Sequence, residues 1–207
     1  MSDISDRHSA ATQTDEELVE RSKHKDERAF EELMRRYMRQ IFNFSRQYAR
    51  AQEDAEDIAQ ETFFKVWKYL GKYTAGRQFR PWLYTIARNT ALDHLKRKKA
   101  APFSDLDDPE NDLSFADTIE DPDPLPSEIF ENTQRSQEVL RAMDSLHPEH
   151  RAILVLHYHE DMTFEEIAVV VGRPMNTVKS WHRRALMRLR QHLSGEAADR
   201  PQLHDSR

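Results

Sequence analysis

The sequence predicts an all-α protein, two small helical domains joined by a flexible acidic linker, with a helix-turn-helix in the C-terminal domain. Three observations predict it. Of 207 residues, 33% are charged and 38% hydrophobic, which suits two small helical cores better than one large one. Four glycines, no cysteine and no sustained apolar alternation argue against an all-β fold or a disulfide scaffold. The stretch from Thr163 to Leu189 reads as two short helices around a tight turn. No run of about 18 apolar residues occurs, and the polar start MSDISDRHSAATQTDEE has no apolar signal core. The expectation is a soluble cytoplasmic protein.

Residues 1–25 are poor in apolar residues and are expected to form a flexible N-terminal arm. A first domain spans residues 26–100. Phe30, Leu33, Met34, Tyr37, Ile41, Phe44 and Tyr48 fall at helical spacing and predict a core helix. A second helix runs from about Glu53 to Leu70, with Ala55, Ile58, Ala59, Thr62, Val66 and Leu70 inward. Its other side gathers Asp54, Asp57, Glu61, Phe64, Lys65 and Lys68, an acidic patch with an exposed phenylalanine. Such a face is either a solvated surface or a protein-docking surface.

Gly71 and Gly76 predict a loop over residues 71–79, and Pro81 suits the first turn of the next helix, which ends in Lys96, Arg97, Lys98 and Lys99. Tyr73, Phe79, Trp82 and Tyr84 interleave there with Lys72, Arg77, Arg80 and Arg88. Single-stranded nucleic acid favours that mixture, because rings stack on unpaired bases while cations follow phosphates. Equally, Trp82 and Tyr84 fit a core, and the basic run fits a helix end complementing its dipole.

Residues 101–133 form a proline-rich linker. From 101 to 135 eleven acids face Arg135 alone, leaving 26 acids and 30 bases elsewhere. The net charge of −6 therefore hides a net of +4 outside the linker, which removes the objection to nucleic acid as a partner.

A second domain over residues 134–194 is expected to hold four short helices, followed by a tail at 195–207. Val139, Leu140 and Met143 pattern the first helix, and Pro148 opens the second, with Ala152, Ile153, Leu156 and His157. Thr163 and Glu166 form a capping box, Phe164, Ile167, Ala168 and Val171 share an apolar face, and Gly172 ends that helix. Asn176 is a candidate N-cap for the last helix. Val178, Ala185 and Leu189 point inward there, leaving Lys179, Ser180, Arg183, Arg184 and Arg188 outside. A short buried helix, a turn and an exposed basic helix match the plan that sets its second helix in the DNA major groove.

His147, His150, His157 and His159 lie within thirteen residues and invite a zinc site. On one helix His150 and His157 stand roughly 10 Å apart, too far to share an ion. No glycine-rich phosphate loop or nucleophile arrangement is present. No metal, cofactor or catalytic residue is expected, and the protein reads as a binding protein rather than an enzyme.

DAEDIAQETFFKVWKYL at 54–70, FRPWLYTIARNTALDHLKRKK at 79–99 and the helix-turn-helix, in this order, resemble the extracytoplasmic-function (ECF) group of sigma-70 family RNA polymerase sigma factors. The resemblance covers about residues 26–100 and 134–193. It implies that Asp54, Asp57, Gln60, Glu61 and Phe64 dock on the β′ clamp helices of core RNA polymerase. It implies that Lys65, Lys72, Tyr73, Arg77, Arg80, Arg88, Asn89 and Lys96 meet the melted minus-ten element. Asn176, Thr177, Lys179, Ser180, Arg183 and Arg184 would read the minus-thirty-five element as duplex, with the second domain also reaching the β flap. Such factors often have an anti-sigma partner. Three features depart from the family: Asn176 replaces a common glycine, Trp181 and His182 replace a basic and an aliphatic residue, and the N-terminal arm has no equivalent.

Two other functions fit parts of the pattern. A helix-turn-helix regulator with an N-terminal sensing or dimerisation domain would bind duplex tightly without polymerase. A DNA-processing enzyme would use the histidines to retain a metal.

Overall fold

The computed structural model describes residues 13–49, 51–74, 78–99, 139 and 142–198, which form helices and turns without a strand among them. They belong to two units, Met1–Ala101 and Pro102–Arg207. The first holds α1 (Asp15–Lys23), α2 (Glu27–Ser45), α3 (Gln52–Tyr69), a 3-10 turn (Leu70–Lys72) and α4 (Phe79–Lys99). The second holds α5 (Pro148–Tyr158), α6 (Phe164–Val171) and α7 (Met175–Ala198), preceded by helical residues at 139 and 142–144.

α1 lies where the arm was expected, and residues 1–12 lie outside the described residues. Thr14 starts it with a capping box: the Glu17 N–H donates to Thr14 Oγ1 at 3.2 Å, and the Thr14 N–H donates to Glu17 Oε2 at 3.0 Å. Leu18, Val19 and Ser22 are buried against the first unit. With so few apolar residues, composition alone suggests an unpacked arm, while the cap and α2 decide otherwise. The Asp15 carboxylate accepts from Arg36 at 2.9 Å and from the Tyr37 hydroxyl, joining the start of α1 to α2. Lys25 closes the connection with a left-handed backbone (φ 64°), after which Asp26 caps α2 by accepting from the Ala29 N–H at 3.2 Å.

α2 packs against α1, α3 and α4. Its predicted stripe is buried at Phe30, Leu33, Tyr37, Ile41 and Phe44, whereas Tyr48 lies in the turn beyond the helix and still packs edge-on to Phe44 at 5.6 Å. α3 buries Ala55, Ile58, Ala59, Thr62, Phe63 and Val66. Thr62 is tolerated there because its hydroxyl donates to the Ile58 carbonyl at 2.7 Å. Tyr84 of α4 is fully buried and meets Phe44 edge-on at 5.2 Å.

In the second unit His147 caps α5, its ring nitrogen accepting from the Glu149 N–H at 3.3 Å, with Pro148 in the first turn. α6 starts with the predicted Thr163–Glu166 capping box and ends at Gly172 (φ 65°). Ala142, Leu146, Leu154, Ala185, Leu186 and Leu189 form one core cluster. α7 runs through Ala198, past the expected boundary at 194.

Leu18→Ala removes a side chain that is 1% exposed and is expected to destabilise the first unit by about 2–4 kcal/mol. Urea unfolding followed by tryptophan fluorescence checks this; an unchanged midpoint would mean that α1 adds nothing to the core.

Candidate docking and nucleic-acid surfaces

The outer face of α3 is set by its inner one. With the apolar stripe buried, Asp57, Gln60 and Phe64 remain exposed, and Phe64 is 65% exposed. Asp54 does not join them. It is buried at the edge of the face, accepting from Lys98 Nζ at 2.5 and 2.6 Å, with His94 Nε2 at 3.3 Å. Glu61 is half-buried and accepts from Arg97 at 2.8 Å and from Lys65 at 3.0 Å. The expected open acidic patch is thus divided. Asp54 and Glu61 are held by the basic end of α4, whose approach no single-helix pattern reveals. Asp57, Gln60 and Glu61 face His94, Arg97 and Lys98 across an open cleft of about 520 Å³.

The hydrogen bonds from Lys98, helped by His94, hold the Asp54 carboxyl below the usual aspartate range against the opposing cost of burial. At Glu61 burial works upward, but the hydrogen bonds from Arg97 and Lys65 outweigh it and the carboxyl is held low. Both side chains are carboxylates at neutral pH.

The residues expected on melted DNA divide as well. Lys72, Asn89 and Lys96 are exposed, and Asn89 and Lys96, seven apart, share one side of α4. Arg80 and Arg88 are half-buried. Lys65 pairs with Glu61 and also stands 3.7 Å from Asp93. Arg77 lies outside the described residues. Tyr73 is buried: at 6% exposure its ring lies edge-on to Phe79 at 6.1 Å and tilted on Trp82 at 5.2 Å, with Lys23 Nζ 5.3 Å from its centre. Its ring packs within the aromatic cluster of the first unit. Sequence reading missed Tyr69, 37% exposed, with Lys68 Nζ at 5.7 Å and Lys72 Nζ at 5.3 Å from its ring centre. The signal was present in the spacing KYLGK, an aromatic between lysines at the end of a helix.

In the helix-turn-helix, Val178, Ala185 and Leu189 are buried as expected. Asn176 is not the cap, because the Val178 N–H donates to the Pro174 carbonyl at 3.1 Å and α7 begins at Met175. Proline already has a helical φ and lacks the N–H that a first turn leaves unpaired, so the helix opens two residues earlier. Asn176 and Lys179 are exposed, while Thr177, Ser180, Arg183 and Arg184 are half-buried. Trp181 is 3% exposed and packs on His150 at 5.8 Å. His182 stands among His157, Tyr158 and Phe164, with ring centres 5.1 to 5.6 Å away. The two departures from the family pattern are therefore packing residues. Three of the four clustered histidines are engaged in structure: His147 caps α5, His150 packs on Trp181, and His157 Nδ1 lies 3.0 Å from the Met162 carbonyl.

Two family models match the chain, Sigma-70 region 2 over residues 33–101 and Sigma-70, region 4 over residues 142–191. The ECF RNA polymerase sigma factor RpoE of Cereibacter sphaeroides is 31% identical over 83% of this chain and 90% of its own length. The ECF RNA polymerase sigma factor SigE of Mycolicibacterium smegmatis is 31% identical over 84% of this chain, which spans only 65% of that relative. Among solved structures, the sigma factor RpoE in complex with the anti-sigma factor NepR from Bartonella quintana matches with a TM-score of 0.60 at 23% identity, covering 83% of this chain and 98% of that one. That likeness is one of fold.

Asp54→Asn tests the α3–α4 clasp. Because the folded carboxyl is held below its unfolded pKa, its stabilisation is present above about pH 4 and is lost as pH falls through the lower folded value. Wild type is expected to exceed the variant by about 1 kcal/mol at pH 7, the exposed Lys98 amine limiting the gain. The gap should close in acid; chemical unfolding across a pH series checks it.

Proposed function

Since the chain belongs to the ECF group of sigma-70 family sigma factors, we propose that it binds core RNA polymerase, directs it to particular promoters and assists their melting. The observation that carries this reading is the coexistence in one chain of an acidic helix face bearing an exposed aromatic and a helix-turn-helix with a basic outer side. Each matches the family region expected to hold it. A regulator with an unrelated N-terminal sensing domain is not favoured, because residues 33–101 match Sigma-70 region 2.

In this reading the centre of the α3 face, Asp57, Gln60 and Phe64, meets the β′ clamp helices. Burying the exposed ring of Phe64 contributes about 2 kcal/mol, and Asp57 supplies a charge for a basic partner. Asp54 and Glu61 support the same face from its edge. Lys72, Asn89 and Lys96, with Arg80 and Arg88 behind them, meet the melted minus-ten strand. Tyr69 takes the stacking role that the buried Tyr73 cannot fill. Asn176, Thr177, Lys179, Ser180, Arg183 and Arg184 meet the minus-thirty-five duplex, and the same unit reaches the β flap. Polymerase supplies the chemistry, so the chain itself makes and breaks no covalent bond. It acts in the cytoplasm, and control by an anti-sigma factor is proposed from the complex of the Bartonella quintana relative. Among the described residues no helix is long and apolar enough to cross a membrane.

Asp57→Arg reverses a charge on an exposed position and leaves the core untouched. It is expected to reduce core binding at least tenfold, as like-charge placement at an interface costs several kcal/mol, with unchanged thermal melting. Run-off transcription with purified core polymerase checks it; no stimulation by the wild-type chain on any promoter of its source genome would overturn the function.

A further inference from the structure

Arg173 stands in the turn between α6 and α7, outside the residues so far assigned to DNA. Its backbone is fixed on both sides. Gly172 adopts the left-handed conformation that ends α6, and the Arg173 N–H donates to the Ala168 carbonyl at 3.2 Å. Pro174 then opens α7. The side chain is exposed, yet its guanidinium carbon lies 5.9 Å from the centre of the Trp181 ring. Trp181 is itself held by burial in the unit, with the His150 ring centre 5.8 Å from its own. An arginine laid on a fixed indole keeps its fork aimed and has less freedom to lose on binding.

The place and the chemistry agree. The N-terminal end of the second helix is the end from which helix-turn-helix proteins reach base edges. Arg173 shares that end with the exposed Asn176 and the half-buried Thr177 and Ser180. The exposed Lys179 and Arg188 lie on the two flanks of α7, where groove walls and phosphates would stand. A guanidinium fork fits the O6 and N7 acceptors of guanine in the major groove.

We infer that Arg173 is a specificity-determining residue of the duplex reader, contacting a guanine of the upstream promoter element, with Trp181 as its positioning residue. The inference rests on the promoter function proposed above. It also gives the unusual tryptophan a role: Trp181 touches no base and sets the direction of a side chain that does.

The test uses holoenzyme reconstituted from core polymerase and the full chain, on a promoter selected from the source genome and randomised across its upstream element. Wild type is expected to prefer guanine at one position by about tenfold. Arg173→Ala should flatten that position and leave the preferences at the others. Trp181→Leu should flatten the same position; equal loss at every position would indicate fold damage and overturn the platform role. An unchanged profile for Arg173→Ala, or a uniform loss with a shallower salt dependence as for a phosphate contact, would overturn the base-reading role. Those results leave the sigma-factor function standing, whereas wild-type holoenzyme that selects no promoter overturns both.

Discussion

The packing of α3 against α2 and α4 is the constraint on which the first unit depends. Burial of Ala55, Ile58, Ala59, Thr62, Phe63 and Val66 fixes the rotation of the helix and so decides which side chains are offered outward. The basic end of α4 then trims that offer. Lys98 and His94 take Asp54, and Arg97 takes Glu61, leaving Asp57, Gln60 and Phe64 as the open centre. Arg97 and Lys98 are largely exposed, so these pairs add little stability. Their larger effect is on the shape and charge of the proposed docking face.

A second chain of contacts links α1 to the proposed DNA-melting side. Asp15 of α1 holds Arg36 and the Tyr37 hydroxyl, and the Tyr37 ring meets Phe79 edge-on at 5.8 Å. Phe79 in turn packs on Tyr73 and Trp82. The aromatics that looked available for unpaired bases are in good part the base of the loop that precedes α4. Tyr69, at the end of α3, keeps a partly open ring with lysine amines 5.3 and 5.7 Å from its centre.

What was legible in the sequence was local. The Thr163–Glu166 capping box, the Gly172 end, the inward positions of α3 and α7 and most of those of α2 follow from spacing and caps within a few residues, and they stand in the structure as read. What was not legible depends on partners far along the chain. Lys98 reaches Asp54 across 44 residues, and Arg97 reaches Glu61 across 36. α1 carries too few apolar residues to announce its packing, although its cap is written in Thr14 and Glu17. Trp181 falls between Val178 and Ala185 on the buried side of α7, and its helical position indicates the interior even where the family pattern has a basic residue.

In the proposed function the two units divide the labour of one initiation event, the first offering a protein-docking face and the second a duplex-reading face. Phe64 is where that division is most exposed to test, since it is the most exposed large apolar side chain among the described residues. A photo-crosslinking amino acid placed at position 64, activated in holoenzyme assembled on promoter DNA, measures its neighbour directly. A crosslink to the β′ subunit is the predicted result. A crosslink to DNA alone, or none with active holoenzyme, would contradict the assignment of this face to polymerase.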